Sequence, residues 1–280
     1  MKTITLTLIT SLFLVSSSHA NPIFTAEWTK GLRMFPGQWQ YLHAVGKDRL
    51  RPERDPSSPK GGTVARVEVR PGDKVISSER SEVCMMQDSW GRPLPVRSTS
   101  GHEYYGISVK LDLKWQAPQP NAAGYAWGTF FQLHGPDSLG ASPSIALMAE
   151  KDFHLDVCGG DVMDGGKRTK PKGVVSLPYT DGSLNLGRWN QFLVDVVWAA
   201  DNTGSITIYR RNEGKMQWIK VLEKQNTPTL QYGFGQQVGD HYWKTGFYRS
   251  ESSHTNLLWL GPIVRGNNRN EVAVAAFGMP

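Results

Sequence analysis

The sequence predicts an all-β fold, a sandwich or a barrel, from three observations. Val64–Arg70 (VARVEVR) alternates strictly, with Arg66, Glu68 and Arg70 on one face and Ala65, Val67 and Val69 on the other. The same period of two returns along the chain, and no stretch sustains a helical period. Clusters of turn residues separate the alternating runs. Many short strands of this kind bury their apolar faces only by stacking sheet on sheet or by closing on themselves.

In chain order, strands are expected at Val64–Arg70, Tyr105–Leu113, Tyr125–Leu133, Ser144–Ala149, Phe192–Trp198, Ser205–Arg210 and Tyr242–Arg249. Pro71-Gly72-Asp73 turns the chain after the first and Gly135-Pro136-Asp137 after the third. Asp181-Gly182-Ser183 precedes the fifth, and Asp201–Gly204 joins it to the sixth. Two stretches read as long surface loops. Arg49–Gly62 is polar and rich in proline, and Asp164–Gly173 carries Lys167, Arg168, Lys170 and Lys172 with no acid after Asp164.

The N-terminus stands apart from this pattern. Lys2 precedes an apolar and hydroxyl run from Ile4 to Val15, and Ser18-His19-Ala20 offers small residues for cleavage. Residues 1–20 therefore read as a secretory signal peptide, too short for a membrane span, and no other apolar run is long enough to be one. Residues 21–280 show no linker and no internal repeat, so a single domain is expected. The formal charge of +6, with a sequence pI near 9.3, falls by one when Lys2 is removed. In an exported protein such an excess points to an acidic polysaccharide or an anionic envelope surface rather than to nucleic acid, or serves solubility alone. The chain is expected to act as a monomer.

Only Cys84 and Cys158 are present. In an oxidising compartment they could pair, which the chain-entropy picture values at roughly 4 kcal/mol. The alternative is a pair of buried free thiols. Two cysteines cannot make a zinc site alone, and neither HExxH nor CxxC occurs. A structural calcium ion would draw on oxygens such as those of Asp201, Asn202 and Asp240, whose spacing is not diagnostic.

Three short motifs carry chemistry. In TFFQLHG (residues 129–135), Gln132 and His134 share one strand face while Phe131 and Leu133 point to the other. In HYWKTGFYR (residues 241–249), Tyr242, Lys244, Gly246 and Tyr248 share a face, and the glycine suggests open space where a ligand approaches the backbone. In ERSEV, Glu79–Val83, Arg80 and Glu82 lie together. Such alternation serves cross-strand ion pairs or braces an arginine that faces a substrate anion.

The succession R-x-E-x-R-x-G-D, E-R-x-E, Q-x-H and Y-x-K-x-G-x-Y resembles the jelly-roll polysaccharide lyases, the heparin lyase I and glucuronan lyase group with alginate lyases as cousins. Gly187–Arg211 (GRWNQFLVDVVWAADNTGSITIYRR) resembles a strand–turn–strand of the same group, and the likeness spans roughly Asp55 to Arg249. It implies a concanavalin A-like β-jelly roll, two antiparallel sheets with a concave groove for the polymer. It also implies site residues: the family's glutamine and histidine fall on Gln132 and His134, its lysine and second tyrosine on Lys244 and Tyr248, and its arginine on Arg80. Trp243, Thr245 and Phe247 occupy variable positions, and the segment after Arg249 does not match.

The implied reaction explains the residue types. A lyase removes the C5 proton of a uronic acid and expels the oxygen at C4, so negative charge builds on the neighbouring carboxylate. Gln132 and Arg80 can donate hydrogen bonds to it. The base is neutral His134, or Tyr248 as a phenolate whose pKa Lys244 lowers, and Tyr248 is placed to protonate the leaving oxygen. Arg66, Tyr242 and the basic loop of Lys167, Arg168 and Lys170 are expected along the polymer. No cofactor is required.

Rival classes fit less well. A glycoside hydrolase needs two carboxylates across one bond, and Glu150, Asp152 and Asp156 have the wrong spacing for the usual E-x-D-x-E. No G-x-S-x-G marks a serine hydrolase. A lectin that keeps the groove without turnover is the remaining alternative.

Overall fold

The computed structural model describes residues 22–30, 37–97, 99–164, 167–168, 175–233 and 239–279. The proposed signal peptide, Lys170 and Lys172 lie outside them. Besides two-residue strands at Lys74–Val75 and Pro93–Leu94, sixteen described strands build the two main sheets: β1 Phe24–Ala26, β2 Trp39–Ala44, β3 Leu50–Arg54, β4 Thr63–Val69, β5 Ser78–Gln87, β6 Gly101–Leu111, β7 Gly128–His134 and β8 Ile145–Ala149. They continue with β9 Phe153–Val157, β10 Val175–Pro178, β11 Trp189–Trp198, β12 Ser205–Asn212, β13 Ile219–Lys224, β14 Tyr242–Arg249, β15 Asn256–Leu260 and β16 Ile263–Gly266.

The first sheet runs β13-β12-β11-β6-β15-β4-β3, with β16 also on β6 and β1 on β16. The second runs β10-β9-β8-β7-β14-β5-β2. All these pairings are antiparallel, as in a jelly-roll sandwich. The alternation seen in the sequence decides what faces inward. Val67, Ile107, Val109, Phe192, Val194 and Leu258 from the first sheet meet Val83, Phe131, Leu133, Leu147, Trp243 and Phe247 from the second. Trp243 ties the layers together, its ring 5.2 Å from Tyr105 across the gap and 5.1 Å from Phe131 beside it. Each side chain so buried contributes on the order of 1.5–3 kcal/mol.

One element departs from the expectation of no helix. Arg269–Phe277 forms α1, started by the Asn268 side chain, which accepts from the Asn270 and Glu271 amides at 2.9 and 3.2 Å. Gly278, at φ +77°, ends it. Its buried face, Val272, Ala273, Ala276 and Phe277, lies on Leu193 and Val264 of the first sheet's outer surface. A methyl group added to Gly106 would come within 2.7 Å of Ala276, so the glycine admits the helix. Nine residues, five of them alanine or valine, give too weak a period to stand out in the sequence.

The cysteines are unpaired. Cys84 lies on β5 and Cys158 just beyond β9, both buried and both free. Burial pushes the Cys84 thiol up to about 12 and the Cys158 thiol in the same direction. Two thiols should therefore be titrated in the denatured, unreduced protein, and almost none at the start in the native one. A count of zero after denaturation would restore the disulfide.

Candidate active site

Gln132, His134, Lys244, Tyr248 and Arg80 come together on the face of the second sheet that points away from the core. β14 lies between β7 and β5, with Lys244 opposite both Gln132 and Cys84, Tyr242 opposite His134, and Tyr248 opposite Arg80 and Thr129. Arg80, Gln132 and Lys244 are buried in its floor, whereas His134 and Tyr248 are only half-buried and remain reachable.

The glycine in this strand has a different purpose from the one its spacing suggested. Gly246 has φ +144°, and a Cβ there would run into the Ser81 carbonyl oxygen of β5. Space is closed rather than open at this point. Between Thr245 and Tyr248 the register against β7 slips, with Gly246 and Phe247 of β14 facing Phe130 alone. Against β5 the register runs unbroken from Lys244 to Arg249, so Tyr248 keeps the face of Lys244.

Glu82 organises the floor. It is 1 % exposed, accepts from Gln132 Nε2, and has Arg80 Nη1 at 3.5 Å. Burial raises its carboxyl above the ordinary range, while Lys244, Arg80 and Gln132 pull the other way. The Arg80 guanidinium lies 4.0 Å from the centre of the Tyr248 ring and also donates to Ser77 Oγ at 3.3 Å. Lys244 forms no ion pair among the described residues, although Glu82 is near enough to feel its charge. Its ammonium sits 5.2 Å from the Tyr242 ring.

The two reachable groups hold opposite protonation states. Burial, with the nearby Lys244 charge, lowers His134 to about 4. The imidazole is neutral at neutral pH, its Nδ1 donates to the Gly135 carbonyl at 2.8 Å, and Nε2 keeps its lone pair. Tyr248 moves up, because burial and then Glu82 outweigh the Arg80 guanidinium. It rests as a phenol. Lys244 does not lower it, contrary to the sequence-based expectation, and the cation on its ring is Arg80. The offset along β7 from His134 to Thr129, opposite Tyr248, is about 16 Å at most for a strand rise of ~3.3 Å per residue. Gln132 and Lys244 lie between the two positions along the paired strands.

Three groups here escaped the sequence. His43 of β2 stands opposite Glu82, feels both Lys244 and Arg80, and has a buried Nδ1 with no partner among the described residues. Burial, then the two cations, lowers it. Asp137 takes the Tyr242 hydroxyl, and Trp127 lies 5.8 Å from Tyr248. Asp137 and Trp127 had only their closeness to the TFFQLHG motif as a signal, and His43 precedes the region of resemblance.

Other expected site residues lie elsewhere. Tyr242 is buried and uses its hydroxyl on Asp137, and its ring stacks 5.0 Å from His134. It holds the imidazole rather than the polymer. Arg66 belongs to the first sheet, where it pairs with Glu68 and approaches Glu53 at 3.8 Å. With Arg70 on Glu68 and Arg49 on Asp73 at 2.6 Å, the R-x-E-x-R-x-G-D run is a turn anchor. Lys167–Arg168 forms a two-residue strand against Met163–Asp164. Asp201 accepts from the Thr203 amide at 2.9 Å and its hydroxyl at 2.5 Å, and the described residues gather no group of three or more His, Cys, Asp and Glu for a metal.

A family model described as polysaccharide lyase matches residues 37–263. The chain belongs to the polysaccharide lyase family. The endo-β-1,4-glucuronan lyase of the fungus Trichoderma reesei is similar in structure, with a TM-score of 0.62 at 16 % identity over 90 % of this chain and 98 % of that one. An alginate lyase of Pseudomonas aeruginosa is more distant, with a TM-score of 0.46 at 17 % identity over 77 % and 84 %. That of Aplysia kurodai has 0.49 at 12 % identity over 88 % and 99 %. No curated protein matches. Among the described residues, no helix of this lyase is long and apolar enough to cross a membrane.

If His134 is the base, its low value fixes the acid side of the lyase's pH profile. The active, neutral form then persists as pH falls, until about 4, where an ordinary histidine would already be lost near 6.5. A profile of kcat/KM should hold through pH 6 and turn down well below it. A midpoint at 6.5 would take the role from His134.

Proposed function

We propose that this lyase acts outside the cytoplasm on a polysaccharide containing uronic acid and cuts it by β-elimination. The observation that carries the reading is the neutral His134 and the protonated Tyr248 on either side of Lys244, with His134 Nε2 and the Lys244 ammonium unpaired among the described residues. His134 takes the C5 proton, the C4–O bond breaks as the C4–C5 double bond forms, and Tyr248 gives its proton to the departing oxygen. The uronate carboxylate is received by Lys244 and by the Gln132 amide, which neutralise the charge that builds there. Arg80 packs over the Tyr248 ring and holds it in place, so its part is positioning as much as binding.

A base and an acid on separate groups suit a proton and leaving group on opposite sides of the sugar ring. The Trichoderma neighbour's glucuronan is one candidate polymer. To test the reading, the mature protein is given uronate polymers and neutral ones, and the ultraviolet absorbance of new unsaturated ends is followed. It should grow on the former alone. Binding to acidic polymers without any unsaturated end would mean a lectin.

A further inference from the structure

A cavity of about 710 Å³ opens at the other side of the second sheet, and the site above does not use it. Antiparallel partners share a face, and the row runs from Tyr248 to Thr129, Met148 and His154. His154, which lines the cavity, thus lies on the same face as Tyr248, three strands away or about 14 Å at ~4.8 Å per strand. One continuous polymer crossing the strands reaches both.

The cavity differs in charge from the site. Glu150 and Asp152 line it, and Asp156 stands behind, 3.6 Å from His154 and accepting from Ser176 Oγ at 2.5 Å. Among the described residues, Lys151 is the only lysine or arginine in the lining. Burial pushes the Glu150 carboxyl up, with His154 opposing the push and Asp156 adding to it. Tyr179 also lines the cavity, is 7 % exposed, and has a hydroxyl with no partner among the described residues. A buried phenol of that kind lacks a hydrogen bond that a ligand would supply. Pro118 and Pro178 offer flat apolar walls.

We propose that this cavity is a subsite for a sugar without an acid group, so that the polymer cleaved mixes uronate with an uncharged sugar. The proposal rests on the uronate reading given above. Sugar hydroxyls donate to carboxylates and accept from the Tyr179 hydroxyl, whereas a uronate there would face Glu150 and Asp152 with like charge. The cationic half of the sheet face takes the acid sugar and the acidic half takes an uncharged sugar further along the same polymer.

Initial rates on a glucuronate homopolymer and on an alternating glucuronate–N-acetylglucosamine polymer test it. The wild type should favour the alternating polymer at least about tenfold in kcat/KM, a difference readily set by pocket contacts. A Glu150→Gln, Asp152→Asn double variant should shrink that ratio by gaining on the homopolymer. An equal or reversed preference that the double variant leaves unmoved overturns the subsite.

A second arm uses binding alone: calorimetry with an uncharged N-acetylglucosamine oligosaccharide. Tyr179→Phe keeps the ring, Ser176→Ala changes a residue near the surface, and either should weaken the oligosaccharide at least several-fold. If neither polymer yields unsaturated ends, the lyase reading fails and this arm decides the subsite separately. Weakening in the variants upholds it, and no binding, or binding indifferent to both, overturns it.

Discussion

Replacing Tyr248 by phenylalanine is expected to cut turnover at least about 10²-fold, the lower end of what general acid–base groups supply. Polymer affinity should stay within a few-fold. The substitution keeps the ring under the Arg80 guanidinium and beside Trp127, so the strand and its packing are unchanged. Only the proton destined for the leaving oxygen is gone. Lys244→Ala makes the contrast, since it removes a cation with no ion pair among the described residues and should raise KM together with its loss of rate. Steady-state kinetics on a uronate polymer separate the two, and undiminished turnover in the Tyr248→Phe protein would falsify its assignment as the acid.

A second large effect is expected at Glu79, one residue from the site and facing the other way. Its carboxylate meets fully buried Arg249 at 2.8 Å, and it also accepts from the Gly72 amide at 2.6 Å and the Ser252 amide at 3.1 Å. Glu79→Ala leaves a guanidinium in the interior without its charge partner, which costs about 3–5 kcal/mol. Urea unfolding followed by fluorescence should show a lower midpoint with an unchanged slope. A loss below about 1 kcal/mol would mean that Arg249 finds water or another partner. Glu79→Gln, which keeps hydrogen-bonding capacity, should lose less.

The period of two was legible because each strand has one face in the core, and it placed seven strands near their observed positions. It also put Gln132 with His134, and Lys244 with Tyr248, on shared faces. Which sheet a strand joins is not written in its own period. Arg66 alternates as cleanly as Arg80, yet β4 belongs to the first sheet and β5 to the second, so only Arg80 reaches the site. Gly246 misled for a related reason, since a glycine between polar residues looks the same whether a ligand or a neighbouring strand comes close. His43 had no motif around it at all. Its importance comes from β2 pairing with β5, a contact between segments separated by the β3–β4 excursion.

The pairing of β1 with β16 has a consequence in time. Strands from the beginning of the described chain are completed by strands from its end, and β6 waits for β11, β15 and β16. No early fragment can close either layer. Contacts that span so much sequence pay for loop closure before they gain burial, and such folds mature in milliseconds to seconds. During that interval Trp243, Phe131 and the strand edges are open to other chains. Yield during production should thus depend more on temperature and on the rate of chain supply than on any change made to the finished surface.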